Sequence, residues 1–303
     1  MSASPQFDLA FDPRYGDAVR LSPLIRRVTA NNPGPFTFHG TNSYLVGNRQ
    51  LAVIDPGPLD AAHLNALLRA VGDAEVVAIL VTHTHRDHSP LSYRLARHTG
   101  APVLAEGPHR LARPLAIGET EPLDGSGDTS FRPDCLLSDG ETVSGDGWRL
   151  TAIATPGHTA NHLAFALEEE SALFSGDHVM AWSTTIVAPP DGSMVDYMAS
   201  LDRLLARTEE RYYPGHGAFL HTAQRFVADL RVHRLGREAA ILKRLEAGDV
   251  AIPDMVRAIY VGLDAKLAGA AGLSVLAHLE DLVARGVVSS DGVPGVAAHF
   301  RPA

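Results

Sequence analysis

Residues 82–88 read Thr-His-Thr-His-Arg-Asp-His, and four strong metal ligands (His83, His85, Asp87 and His88) fall within six positions. The apolar run from Val76 to Val81 leads directly into them. That is the pattern of a buried strand ending in a loop. Core packing gives no reason to crowd three imidazoles and a carboxylate onto one loop. Two histidines at i, i+2 alone would fit a polar loop, but the added Asp-His pair needs a second reason. Neutral imidazole and carboxylate are ligands for zinc and similar divalent ions. The stretch therefore points to a metal site and to metal-assisted chemistry.

Three further segments end an apolar strand on one ligand type beside glycine. Ala152–Ala154 leads into Thr155-Pro156-Gly157-His158-Thr159, Ala172–Ser175 into Gly176-Asp177, and Arg211–Tyr213 into Pro214-Gly215-His216-Gly217. Glycine lets the backbone turn sharply and brings the neighbouring side chain close. Each segment alone also fits a plain strand-to-turn corner; all three together with the His cluster do not fit coincidence.

In this order and spacing, His83-x-His85-x-Asp87-His88, His158, Asp177 and His216 resemble the metallo-β-lactamase superfamily. The resemblance covers roughly residues 20–220 and implies an α/β fold, an αββα sandwich with two metals at one edge. It implies His83, His85 and His158 on one metal, Asp87, His88 and His216 on the other, and Asp177 bridging. It further implies hydrolysis by a metal-bridging hydroxide, with Asp87 as a catalytic residue that orients the nucleophile or passes its proton. All-N/O ligation favours two Zn²⁺, with Mn²⁺ or Fe²⁺ as alternatives. Flavodiiron relatives carry Glu where this chain has His85, which disfavours a redox di-iron centre. Mononuclear iron persulfide dioxygenases share much of the motif and remain an alternative.

A narrower resemblance rests on Pro35-Phe36-Thr37, Gly40-Thr-Asn-Ser-Tyr-Leu-Val46, Thr184-Thr185, Asp196-Tyr197-Met198, Tyr213-Pro-Gly-His-Gly217 and Ser274-Val-Leu-Ala-His-Leu279. These look like the endoribonuclease branch of β-lactamase-like proteins, which implies a single-stranded RNA substrate. Ser89-Pro90 stands where many relatives have Gly-Gly, which leaves substrate class open at that loop. Carboxylic esters, thioesters and lactones are the alternative substrates. A Lys/Arg-lined approach would favour RNA; an apolar pocket would favour the esters.

The chain of 303 residues suits one large domain and a small one. The texture changes near residue 220. The expected division is a catalytic domain over 1–220 and, over 221–303, three helices and a small hairpin resembling a winged helix. Residues 221–303 carry 10 basic and 9 acidic groups, which leaves 16 basic and 26 acidic groups, a balance of −10, on residues 1–220. An acidic main domain is a poor general binder of nucleic acid. The helix expected over 221–246 is basic enough to track phosphates but reads more readily as a solvated face; the tail is also a candidate dimer surface or pocket wall. A nucleic-acid-binding module with structural metals is thus a further alternative.

Residues 13–40 read as irregular and 105–147 as a weakly patterned rim or lid. No uninterrupted apolar run of membrane-spanning length and no leader pattern is visible, so no membrane partner is expected. The single cysteine, Cys135, excludes an internal disulfide and fits a cytoplasmic location. His162 and His178 are candidates to support the ligands or line the pocket. Tyr197 is a pocket candidate, because related lactonases place a tyrosine near the metals. His109 is grouped with the surface or satisfied histidines.

Overall fold

The computed structural model describes residues 5–116, 119 and 126–303. A first sheet runs in chain order through β1 (Val19–Arg20), β2 (Ile25–Thr29), β3 (Asn42–Gly47), β4 (Gln50–Ile54), β5 (Glu75–Leu80), β6 (Val103–Ala105) and β7 (Cys135–Leu136). Pairing is antiparallel up to β4 and parallel beyond it. Each of the three parallel steps needs a crossover, and α1 (Ala61–Val71) and α2 (Ser92–Thr99) supply the first two. Helix α1 starts where the Asp60 carboxylate accepts from His63 N–H at 2.8 Å and stops at Gly72.

A second sheet holds β8 (Thr142–Gly145), β9 (Trp148–Ala154), β10 (Leu163–Leu167), β11 (Ala172–Gly176) and β12 (Arg211–Pro214) in that spatial order. Only β11 and β12 pair in parallel, and α3 (Met194–Leu205) makes their crossover. The strand period of two then sorts side chains into layers. Tyr44, Val46, Ala52, Ile54 and Leu80 meet Leu150, Ala152, Phe165 and Phe174 between the sheets. Their alternates Leu45, Leu51, Val53 and Ile79 pack under α1 and α2. On the far side Ile153, Ala166, Leu173 and Tyr212 pack under α3 and the start of α4 (Ala223–Glu246). The result is the expected αββα sandwich.

Strand β2 lies inside the stretch expected to be irregular, and β7 and β8 lie inside the expected rim segment. The composition of β2, Ile-Arg-Arg-Val-Thr, hides it. Arg26 reaches the Ala70 carbonyl at 2.6 Å and Arg27 lies 4.3 Å from the Phe11 ring centroid, so both stems bury while the charges find partners. Within the expected rim, residues 117, 118 and 120–125 lie outside the described residues.

Beyond the sandwich come α5 (Ile252–Ile259), α6 (Ala268–Ala284) and a hairpin of β13 (Val288–Ser290) with β14 (Phe300–Pro302). Ile241 and Leu245 of α4 join Met255, Val275, Leu279 and Phe300 in a separate core. Helix α4 therefore belongs to two cores, since Phe226, Val227 and Leu230 pack against the sandwich. Ala265–Ala284 is long and apolar enough on composition to cross a bilayer, which a search for an uninterrupted apolar run passes over. Here Leu273, Val275, Leu276 and Leu279 of that stretch are buried, as in a core helix.

Candidate metal centre

The loops after β5, β9, β11 and β12 meet at one edge of the sandwich. Backbone bonds hold them there: Leu163 N–H to Thr82 O at 2.7 Å, Asn42 N–H to Gly215 O at 2.7 Å and Gly215 N–H to Gly176 O at 2.9 Å. Two glycines are required by close approach. A Cβ on Gly215 would sit 2.3 Å from Asp177 Oδ1 and 2.6 Å from His88 Cε1. One on Gly176, whose φ is +49°, would meet His162 Nε2 at 2.5 Å.

All seven residues picked out by the sequence converge. His83 Nε2 and His158 Nε2 each lie 3.1 Å from His85 Nδ1. Asp87 Oδ2 lies 3.2 Å from both His88 Nε2 and His216 Nε2. Asp177 stands between the two sets, with Oδ1 3.5 Å from His88 Nε2 and Oδ2 3.3 Å from His216 and 3.8 Å from His158. A tetrahedral ion with bonds of about 2.0–2.1 Å puts neighbouring ligand atoms roughly 3.3 Å apart, so these separations suit cation ligands. The buried His88 Nε2 and Asp177 Oδ1 face this cluster with no hydrogen-bond partner. Buried polar atoms left so are costly unless something else satisfies them. The donor set therefore fits divalent cations.

Electrostatics divides the cluster. Burial, reinforced by neighbouring imidazoles, holds His83 well below the usual histidine range and pushes His158 down to about 4. His88 and His216 are equally buried, but Asp87 and Asp177 overcome that penalty, aided at His88 by Asp55. His88 is held well above the usual range and His216 is pushed up to about 10. Burial opposes charge on Asp87 and Asp177 too, yet the His88 and His216 imidazoles hold both far below the carboxylate range.

Each imidazole is aimed by its other nitrogen. His83 Nδ1 meets Thr82 Oγ1 at 3.0 Å, and that hydroxyl donates to Asp55 Oδ2 at 2.7 Å. His88 Nδ1 meets the same Asp55 oxygen at 2.9 Å. His158 Nδ1 meets Ile186 O at 2.7 Å, His216 Nδ1 meets Gly40 O at 3.1 Å, and His85 Nε2 meets Asp191 Oδ2 at 3.2 Å. The Gly40–Val46 motif acts here as well. Thr41 Oγ1 donates to Asp87 at 3.0 Å, and Asn42 Nδ2 donates to Pro214 O and Gly217 O at 3.1 and 3.0 Å.

Asp55 and Asp191 were not among the sequence candidates. Asp55 carries the same signal as the ligands, a polar residue closing an apolar strand just before a glycine (Gly57), and its φ of +48° marks it further. Asp191 follows two prolines and carries no such signal. His162 does support the site, accepting from Asp177 N–H at 3.2 Å. His178 is buried with neither ring nitrogen partnered. Tyr197 is fully buried beneath the loop, its hydroxyl donating to His178 O at 3.0 Å, and does not line the pocket.

A cavity of about 660 Å³ opens over the cluster. Its walls are largely apolar, with Phe36, Met180, Ile186, Ala188, Pro189 and Pro190. Arg86 is the one Lys or Arg in that lining among the described residues. His109, expected to be at the surface or satisfied, also lines the cavity and meets Thr84 Oγ1 at 2.9 Å.

A family model described as Metallo-beta-lactamase superfamily matches residues 36–216. One described as Beta-lactamase associated winged helix domain matches residues 251–295. An atrochrysone carboxyl ACP thioesterase of Aspergillus chevalieri is 31% identical over 261 residues, spanning 82% of this chain and 77% of its own. A beta-lactamase-like protein 2 homolog of Caenorhabditis elegans is 30% identical over 280 residues, spanning 89% and 88%. A crystal structure of a metallo-beta-lactamase family protein from Thermus thermophilus superposes with a TM-score of 0.74 at 26% identity, over 94% of this chain and 100% of its own.

Proposed function

The chain belongs to the metallo-β-lactamase superfamily and is a metal-dependent hydrolase; from that premise we propose that it uses two cations, most simply Zn²⁺, to hydrolyse thioesters or comparably activated carboxylic esters. In this reading His83, His85 and His158 hold one cation, Asp87, His88 and His216 the other, and Asp177 both. The observation that carries it is the His83–His85–His158 and Asp87–His88–His216 groups, with Asp177 standing between them, beneath a mainly apolar cavity. Two groups exceed what a single iron requires, which speaks against the persulfide dioxygenase alternative. One lining arginine gives a phosphate backbone little to follow, which speaks against RNA. The thioesterase name of the Aspergillus relative points the same way.

When bound, the two cations supply Lewis acidity, easing ionisation of water and polarising the attacked carbonyl. The residues do the rest. The apolar wall from Ile186 to Pro190 packs against the acyl group and excludes water from it. Asp87, ionised and held by Thr41, takes the proton of the attacking water and returns it to the leaving group. A thiol, with a pKa of about 8.5, departs with less protonation than an alcohol, so thioesters suit a site with one such carboxylate.

The test is a hydrolysis screen of metal-loaded protein on an acyl thioester, a lactone, a bis-aryl phosphodiester and single-stranded RNA, each against Asp87→Ala. Thioester turnover should lead and should vanish in the variant, with two metals bound per chain. RNA cleavage outpacing thioester turnover would remove the substrate assignment; one iron per chain with oxygen uptake would remove the hydrolytic mechanism.

A further inference from the structure

The segment from Thr185 to Asp191 touches two of the three imidazoles in the His83 group. Its Ile186 carbonyl meets His158 Nδ1 and its Asp191 carboxylate meets His85 Nε2. The same residues form the apolar wall of the cavity. From within the sandwich Thr185 Oγ1 donates to Asp177 O at 2.7 Å and His178 O at 2.9 Å, and further holds come from the C-terminal helices. Arg234 of α4, 3% exposed, donates to the Thr185 carbonyl, and its guanidinium lies 5.0 Å from the Tyr197 ring centroid. At the other end the Pro190 carbonyl accepts from Ala112 N–H at 2.8 Å and Arg113 N–H at 3.3 Å. Arg113 in turn is shared between Glu280 of α6 and Glu119, each at 2.6 Å.

Among the described residues Arg234 has no carboxylate partner, and its Nε is buried without a hydrogen bond. Burying a guanidinium on these terms is unfavourable, and an apolar side chain of similar length would fill the space at less cost. Packing alone therefore does not account for it. Among the described residues its one hydrogen bond is to the carbonyl next to the residue that aims His158.

We propose that Arg234 is a positioning residue, and that α4 and α6 together clamp the 185–191 segment so that His158 and His85 are held for one cation and the cavity wall is set at the same time. The C-terminal helices then serve the metal centre directly, with no need for a nucleic-acid role. The proposal rests on the two-cation reading above.

Cobalt(II) titration followed by visible absorption tests it without turnover. Wild-type protein should take up two Co²⁺, and His85→Ala identifies the band belonging to the His83 group. Arg234→Met should weaken uptake at that band by about 10–100-fold and leave the other nearly unchanged, as when a contact that aims a ligand is lost. Arg234→Lys, which still donates to a carbonyl, should restore part of the loss. On the thioester substrate, Arg234→Met should raise KM as well as lower kcat, because the wall moves with the ligand. Glu280→Gln should weaken the same band through the other end of the clamp, and it carries the test if Arg234→Met does not fold. Equal weakening of both bands, or a lowered Tm with both affinities intact, would overturn the clamp. A wild-type chain that binds fewer than two Co²⁺ would overturn the two-cation reading instead.

Discussion

The two halves of the cluster are made of similar atoms and behave as opposites. His83, His85 and His158 stand together as imidazoles, and burial keeps His83 and His158 ready as neutral ligands. Asp87, His88 and His216 mix carboxylate with imidazole, so both imidazoles hold their protons until something displaces them. Their supports differ too. The second half leans on the first sheet and its edge, through Asp55, Gly40 and Thr41. Much of the first leans on a loop. The difference teaches that loading need not be symmetric: the first half can take a cation near neutral pH without shedding protons from His83 or His158, and the second must release protons to do so.

The largest expected effect erases the comparison. Asp177→Ala removes the ligand common to both halves, and thioester kcat/KM should fall by about 10³-fold or more, on the scale of roughly 4 kcal/mol. Metal analysis should then show fewer than two ions per chain. Next, Gly215→Ala drives a methyl group against Asp177 and His88. It should cost about 10²-fold in kcat/KM, in the range of a misplaced catalytic group. It should also deplete the second ion more than the first; equal depletion of both would blur the division.

Asp55→Asn keeps the shape but exchanges the carboxylate that aims His88. Affinity of the second half should drop about 10–100-fold, with a smaller change at the first, where Asp55 acts only through Thr82. Cobalt titration reads both. The smallest effect is on stability. In metal-free protein the raised pKa of His216 contributes stability that is full below about 6.5 and is lost as pH climbs through about 10. His158, lowered to about 4, does the reverse: its contribution is full above about 6.5 and is lost as pH falls toward 4. Chelated protein should therefore melt highest near pH 6.5, and added Zn²⁺ should raise Tm most on the alkaline side. A chelated protein whose Tm is flat from pH 6 to 9 would contradict the division of charge.

The ligands were legible in the sequence because chemistry puts them where strands stop, and a strand stop beside a glycine leaves a mark. By that rule Asp55 was legible as well, since Leu51 to Ile54 ends on it and Gly57 follows closely. Asp191 and the Ile186 carbonyl were not. One follows two prolines on a loop, and the other acts through a backbone atom that every residue shares. Strand β2 escaped because two arginines interrupt its apolar pattern, and only the fold shows their charges reaching the Ala70 carbonyl and the Phe11 ring. Tyr197 shows the converse: a residue offered for the pocket by resemblance is buried in the core under α3, its hydroxyl on His178 O.

The helix shared by two cores makes the protein hard to divide. Severing the chain just before α4 would uncover a greasy trough where Phe226, Val227 and Leu230 now lie, and severing it halfway along would strand Ile241 and Leu245 without their footing. Either portion alone would present to water the apolar surface that the other now covers.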